Sequence, residues 1–384
     1  MRALDFFKDL FNNLLSDLTK TFSRQKSDSV FGLDIGLSSV KVVQLKRRRG
    51  RVILETYGEL ATGPYGGLAV GQAVNLTLDN LKKLVADLFK EANITTKTGV
   101  MSIPSRSSLI VDIDLPEVDD DKLASIIPLE ARKYIPVAIS EVTLDWLRIP
   151  SPADIRTANE NNPEGQPIKG LTKILLVAIH NDAIKNHQTL AKDLELQVPI
   201  MEIESFSSIR SCLHNDLNAT ALIDLGASSS KMAIIDRGVI RVSHTINKGA
   251  QDLSMAVSRS LSVPFEKAEE IKREVGLVEK PENYDNVESA ISPLVEYIFA
   301  EAEHVVIKYQ KENRRVVDKF ILIGGGAVLK GLLAIAEQEV GVPVAFGQPF
   351  NKTEAPAFLS GVLTEAGPSF AVAIGLALRG LEEI

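Results

Sequence analysis

The chain has 384 residues, 45% of them hydrophobic and 24% charged, which is enough mass for two or three domains with a sizeable core. A formal net charge of −7 argues against general nucleic-acid binding, and a single cysteine, Cys212, excludes an internal disulfide framework and fits a reducing cytoplasm. No apolar run reaches the roughly 18–20 residues of a membrane-spanning helix, and the N-terminus lacks the basic-then-apolar pattern of an export signal.

Taken in order, residues 1–22 place Leu4, Phe7, Leu10, Phe11, Leu14, Leu15, Leu18 and Phe22 at spacings of mostly three and four, which predicts an amphipathic helix. Its charges cancel, so it lacks the cationic face usual for an interfacial helix. Docking on a protein surface and peripheral contact with a membrane both stay open for it. Residues 23–29 read as a polar linker.

Residues 33–45, LDIGLSSVKVVQL, form a hydrophobic strand that breaks at Asp-x-Gly and resumes after small hydroxyl residues. The pattern returns 190 positions later as IDLGASSSKMAII at 223–235, aligning Asp34 with Asp224, Gly36 with Gly226, Ser38 with Ser228, Ser39 with Ser229 and Lys41 with Lys231. Two matched copies indicate an internal duplication, and each reads as a β-hairpin. Glycine lets backbone approach a ligand, successive N–H groups at such a turn suit phosphate oxygens, and an Asp at a strand end suits hydrated Mg²⁺. Two such turns facing each other would hold a polyphosphate from both sides.

After the first hairpin come a basic turn at 46–51, a strand, a helix over 74–92 and a buried strand at 99–105. A smaller α+β unit is expected over 106–200, with a helix at DDDKLASIIPLEARKYIP kinked by Pro128 and an exposed Pro, Asn and Gly-rich loop at 151–170. Glu204 opens a helix before the second hairpin, where it either orients a water or complements the helix dipole. Charged and amphipathic helices follow. KFILIGGGAVLKGL then reads as a strand, a triple glycine at 324–326 and a helix, a turn of the kind that meets nucleotides, although it is not GxGxxG. The small-residue helix GPSFAVAIGLALR closes the fold. The scattered histidines argue against a structural metal site, and GxSxG, HExxH and GxxxxGK[ST] are absent.

This arrangement, with two halves each opening on an Asp-x-Gly hairpin and a late triple glycine, resembles the actin-like ATPase superfamily. Within it, FGLDIGLSSVKVVQL, KYIP, AEEIKREVG, ILIGGGAVLKGL and AVAIGLALR resemble the PilM family of type IV pilus assembly from about Val30 to Arg379. The resemblance implies an α/β, duplicated actin-like (ribonuclease H-like) fold with a small α+β insertion like the 1C subdomain of FtsA. Its divisions would be 1–29, an N-terminal helix and linker; 30–105, subdomain 1A; 106–200, the insertion; 201–249, the start of 2A; 250–315, subdomain 2B; and 316–384, the rest of 2A.

It further implies ATP and Mg²⁺ as cofactors. Gly36, Ser38, Ser39 and Lys41 would form the first phosphate loop, and Gly226, Ser228 and Ser229 the second. Gly324, Gly325 and Gly326 would line adenine and ribose, Glu269 and Lys272 would lie near the nucleoside, and Asp34 would hold Mg²⁺ through water. Asp34, Glu204 and Asp224 are the catalytic candidates, with hydrolysis expected to be slow or absent. The implied partner is the short cytoplasmic N-terminal tail of the inner-membrane protein PilN, held between 1A and the insertion and gated by nucleotide, which would place the protein at the cytoplasmic face of the inner membrane; self-association is left open. This chain departs from relatives at Gly249-Ala250, where Gly-Gly is common, at Pro128, and in its extension over 1–29. Two alternatives share the fold: an FtsA-like filament protein of cell division and a small-molecule kinase.

Overall fold

This computed structural model describes residues 28–116, 120–149, 171–213, 218–278 and 285–384. The amphipathic segment 1–22, most of the linker after it and the loop at 151–170 lie outside the described residues.

The apolar alternation on either side of each Asp-x-Gly produces two sheets of the same design. In the first, β1 (Ser29–Ile35), β2 (Ser39–Arg48) and β3 (Arg51–Ala61) form an antiparallel meander, and β4 (Thr98–Ile103) and β8 (Gln197–Ile203) add in parallel, giving the order β3-β2-β1-β4-β8. In the second, β9 (Ala219–Leu225), β10 (Ser230–Asp236), β11 (Val239–Ile246), β12 (Val317–Ile323) and β13 (Val344–Phe346) repeat it as β11-β10-β9-β12-β13. Even the register agrees, since Asp34 lies opposite Lys41 and Asp224 opposite Lys231. Because strand side chains alternate faces, that shared register delivers equivalent residues to equivalent places.

The halves differ in what joins the strands. From β3 to β4 runs one helix, α1 (Leu78–Glu91), started by the Thr77 side chain, which accepts from the Asn80 N–H at 3.4 Å. From β11 to β12, among the described residues, run three, α5 (Ala250–Leu261), α6 (Phe265–Val275) and α7 (Asp285–Asn313). The crossover from β12 to β13 is the helix α8 (Leu332–Val340). The matching crossover from β4 to β8 carries an inserted antiparallel sheet, β5 (Ser108–Pro116), β6 (Val142–Ile149) and β7 (Leu171–His180), in the order β5-β7-β6 and backed by α2 (Asp120–Ala131).

Two expectations are corrected here. The inserted unit was expected to run to residue 200, but helix α3 (Asn181–Asp193) buries Leu190 and Ala191 against the first sheet, and β8 pairs with β4. These residues complete the first crossover, as α8 does the second. The helix around Pro128 was expected to reach KYIP, yet it ends at Ala131, within one turn of the proline, whose missing N–H leaves the Ala124 carbonyl without its helical donor.

The sheets are held together by an exchange of helices. Helix α4 (Glu204–Cys212) follows the first sheet in sequence but packs Phe206 and Ile209 beneath the second, against Leu222 and Ile323. After the short helix α9 (Ser360–Ala366), helix α10 (Ala371–Glu383) follows the second sheet but packs Ala373, Ile374 and Ala377 beneath the first, against Val30, Val43 and Leu45. Apart from Arg379, which is itself buried, Ala371 to Leu381 are apolar and buried, as expected for a helix lodged inside a protein. Glycines set how close these backbones come. A Cβ on Gly32 would lie 2.1 Å from the Ala373 carbonyl oxygen, and one on Gly375 would lie 1.9 Å from that of Ser207.

Gly375→Ala would add about 1 kcal/mol of intrinsic helix propensity. No rotamer relieves a methyl set against a backbone carbonyl, however, and overpacking of this kind costs about 1–3 kcal/mol or more. The clash is therefore expected to win, lowering the urea midpoint of the variant; an unchanged or raised midpoint would show that α4 and α10 are not in this contact.

Candidate functional site

Both Asp-x-Gly turns open onto one cleft of about 670 Å³ between the two sheets. Each turn is tight for the same reason. A Cβ on Gly36 would sit 2.7 Å from the Ser39 carbonyl oxygen, and one on Gly226 would sit 2.8 Å from that of Ser229. Ser38, Ser39, Ser228 and Ser229 line the cleft from their two sides.

The triple glycine forms the floor. Gly324 has φ +88, and a Cβ there would meet Asp224 Oδ1 at 2.3 Å, so the position admits neither the conformation nor the bulk of a side chain. The Gly326 N–H donates to the Leu225 carbonyl at 2.8 Å, while Gly325 faces open space. One expectation fails in detail. No helix starts at the glycines; α8 begins only after Gly331, so a helix N-terminus is not what faces the cleft at 324–326.

Charge is concentrated beneath the turns. Asp34 is buried, and its Oδ1 has no hydrogen-bond partner. Burial, reinforced by the nearby Glu204 carboxylate and only partly offset by Lys41 and Lys231, raises its pKa from the ordinary 3.8 to about 7. Asp224 is pushed up in the same way, by burial and then by Glu204. Glu204 moves in the other direction: burial would raise it, but Lys231 at 2.5 Å and the Ser105 N–H and hydroxyl, each at 3.0 Å on the same oxygen, hold it below the usual carboxylate range. Lys41 donates to Ser39 Oγ at 2.6 Å and pairs with Glu59 at 3.1 Å.

On the far wall, one turn of α6 brings Glu269 and Lys272 together at 2.7 Å, with Arg273 also on Glu269 at 2.6 Å. Lys272 donates to the Ala250 carbonyl at 3.1 Å, and burial lowers its pKa against the opposing pull of Glu269. Ala250 is the first residue of α5 and forms part of this wall. The loop after β3 crosses from the first half: the Ala73 N–H donates to Gln251 Oε1 at 3.0 Å, and Gly71, at φ +89, lies against the Glu269 carboxyl.

Every residue singled out in the sequence therefore lines the same cleft: Asp34, Gly36, Ser38, Ser39, Lys41, Glu204, Asp224, Gly226, Ser228, Ser229, Glu269, Lys272 and Gly324 to Gly326. The sequence reading did not assign Lys231, Glu59, Gly71, Arg106, Arg273 or Lys330 to the site, yet all are there too. Lys231 was legible as the partner of Lys41 in the duplication, and Glu59 as the residue opposite Lys41 on β3. Gly71 and Arg106 stand on loops and carry no local signal. Among the described residues no three His, Cys, Asp or Glu side chains gather as a metal cage. The arrangement does suit a hydrated divalent cation, because a hard ion that keeps its waters needs only one or two carboxylates, and the unpartnered Asp34 Oδ1 is available.

The family model described as type IV pilus assembly protein PilM matches residues 32–381. The chain belongs to this family. Its backbone is similar to that of a solved PilM-PilN type IV pilus biogenesis complex, with a TM-score of 0.76 at 22% identity over 93% of this chain and 99% of that one. It also resembles the ethanolamine utilization protein EutJ from Carboxydothermus hydrogenoformans, with a TM-score of 0.52 at 14% identity over 98% of each chain. In sequence it is 23% identical to the cell division protein FtsA of Pseudomonas aeruginosa, over 94% of this chain and 91% of that protein. FtsA of Streptococcus pneumoniae is likewise 23% identical, over 83% of this chain and 75% of that protein. The α/β, duplicated actin-like fold expected from the sequence is the fold that the family and these structures share.

Asp34 gives the cleft a pH signature. With its folded pKa near 7 and its unfolded value near 3.8, the native state keeps a proton that the unfolded chain releases. The stability from this group is present below about pH 4 and lost as pH rises through about 7. In the absence of divalent cations, Asp34→Asn is expected to gain stability over the wild type progressively across that window, read from urea midpoints. A difference independent of pH would contradict the shift.

Proposed function

We propose that this family member is a cytoplasmic, ATP-binding scaffold of type IV pilus assembly, held at the inner-membrane face by the N-terminal tail of a PilN-like protein. The observation that carries the reading is the convergence of two turns of one sequence pattern, on strands of identical register, at a cleft floored by Gly324 to Gly326. Gly36, Ser38, Ser39 and Lys41 would take the phosphates from one side and Gly226, Ser228 and Ser229 from the other. Gly324 to Gly326 would lie under adenine and ribose, with Glu269 and Lys272 beside the nucleoside. When bound, Mg²⁺ supplies positive charge to the phosphates, and Asp34 would hold it through water. Glu204 and Asp224 would orient a water, but Glu204 is occupied by Lys231 and Ser105, in keeping with turnover slower than about 1 s⁻¹.

Under this reading, residues 30–105 and 181–203 act with the first sheet, and 106–180 form the inserted recognition unit. In the second half, residues 250–315 form the nucleoside-side helical unit. The similarity to the PilM-PilN complex supports PilN as the partner class. The tail would lie between the first sheet and the inserted unit. Nucleotide would gate it only through unequal affinity for the two arrangements of that groove.

In isothermal titration with Mg²⁺, Asp34→Ala should lose Mg²⁺-dependent ATP binding by at least about tenfold while keeping a native circular-dichroism spectrum. Equal affinity in the variant and the wild type would remove the site assignment. With saturating ATP, a peptide of the partner's N-terminal tail should bind wild-type protein about 5- to 150-fold more tightly or more weakly than without nucleotide, the usual span of such couplings. Identical affinities would remove the gating.

A further inference from the structure

The cations of the cleft are not equally available to a ligand. Lys41 is paired with Glu59 at 3.1 Å, Lys231 with Glu204 at 2.5 Å, Lys272 with Glu269 at 2.7 Å and Arg273 with the same Glu269 at 2.6 Å. Lys330 points its ammonium at the Glu274 carbonyl, at 2.8 Å. Arg106 also lines the cleft, is exposed, and has no carboxylate partner among the described residues. An anion entering here meets Lys41, Lys231, Lys272 and Arg273 already facing carboxylates, whereas Lys330 is held only by a backbone carbonyl and the Arg106 guanidinium faces no carboxylate among the described residues.

Its position is specific. Arg106 is the middle residue of the short turn Ser105–Ser107 between β4 and β5. The residue before it donates both its N–H and its hydroxyl to Glu204, on the oxygen that also receives Lys231 of the second hairpin. Ser108, two residues after it, is the first residue of the inserted sheet. Arg106 thus stands where the chain leaves the cleft for the inserted unit. The groups proposed to border the nucleoside, Glu269, Lys272 and Gly324 to Gly326, all come from the second half, so a phosphate tail would extend from them toward the side where Arg106 stands. A guanidinium presents a planar fork that matches two phosphate oxygens, and an unpaired one gives up no ion pair to do so.

We infer that Arg106 contacts the terminal phosphate of a bound nucleoside triphosphate, making the base of the inserted unit the place where triphosphate is told from diphosphate. This rests on the nucleotide reading of the cleft and deepens it by assigning the discriminating residue. A charge-assisted contact present only with the third phosphate would set the ratio of ATP to ADP affinity, and it would draw the β4–β5 turn toward the cleft only when ATP is there.

The test is titration of Mg²⁺-ATP and Mg²⁺-ADP into full-length wild type, Arg106→Ala and Arg106→Lys, with thermal melting of each apo protein as the check on folding. Arg106→Ala should weaken ATP about 10- to 100-fold and leave ADP within about twofold, and Arg106→Lys should recover part of the loss. An unchanged ratio of ATP to ADP affinity in Arg106→Ala overturns the assignment, whether both affinities are retained or both fall together. If Arg106→Ala does not fold, the same ratio is read from Arg106→Gln. Failure of the wild type to bind either nucleotide would instead refute the underlying reading.

Discussion

Three carboxylates share one buried space where the two sheets meet, and only two lysines stand among them. Asp34 and Asp224 sit at equivalent strand ends, and Glu204 starts the helix that crosses between the halves. Bringing three like charges out of water is costly unless each is paired or neutralised. Glu204 is fully served, by Lys231 and by two donors from Ser105, and its satisfaction leaves the two aspartates facing its charge. Such a cluster does not stabilise a fold. Buried acids with pKa values raised, first by burial and then by a nearby like charge, are common where proteins bind ligands, in keeping with the cation proposed at Asp34.

The rest of the architecture can be understood as what holds those groups in place. The duplication supplies two turns of the same shape, and the shared register aims them alike. Exchanging α4 and α10 between the halves then makes each sheet rest on a helix contributed by the other half's end of the chain. Gly32 and Gly375 let these backbones touch, which fixes the depth at which Glu204 enters the cleft. The loop after β3 adds a second crossing, at Ala73 and Gly71, so the halves meet at the bottom and at one side of the cleft.

Much of this was legible in the sequence because the signals are local. Asp-x-Gly between apolar strands specifies a hairpin wherever it stands, and its recurrence after 190 residues specifies a duplication before any contact is known. What was not legible depends on distance along the chain. Residues 181–200 look like a continuation of the inserted unit, and only the pairing of β8 with β4 shows that they close the first crossover. The triple glycine suggested a strand-to-helix turn, but a five-residue stretch intervenes, and no periodicity marks it as non-helical. Arg106 and Gly71 reach the cleft through tertiary placement alone. Glu59 lay between these cases: its pairing with Lys41 follows from hairpin register, which the one-residue irregularity at Gln44 and Leu45 shifts.

The duplicated lysines also show how equivalent residues have taken unequal roles. Lys41 pairs with a carboxylate at the cleft rim, for the Glu59 side chain is 42% exposed, whereas Lys231 pairs with Glu204, whose side chain is 6% exposed. The Glu59 carboxylate keeps access to water if it is released, so an arriving phosphate could take its place on the buried Lys41 without stranding a buried charge. Taking Lys231 from Glu204 would leave a buried carboxylate without its cation, a loss on the order of 3–5 kcal/mol. On the nucleotide reading, the first lysine is therefore an exchangeable cation for the ligand, while the second is a fixed clamp that holds Glu204 and, through Ser105, the root of the inserted sheet. The asymmetry follows from what each lysine faces: a strand neighbour at the rim in one half, and the crossing helix in the other.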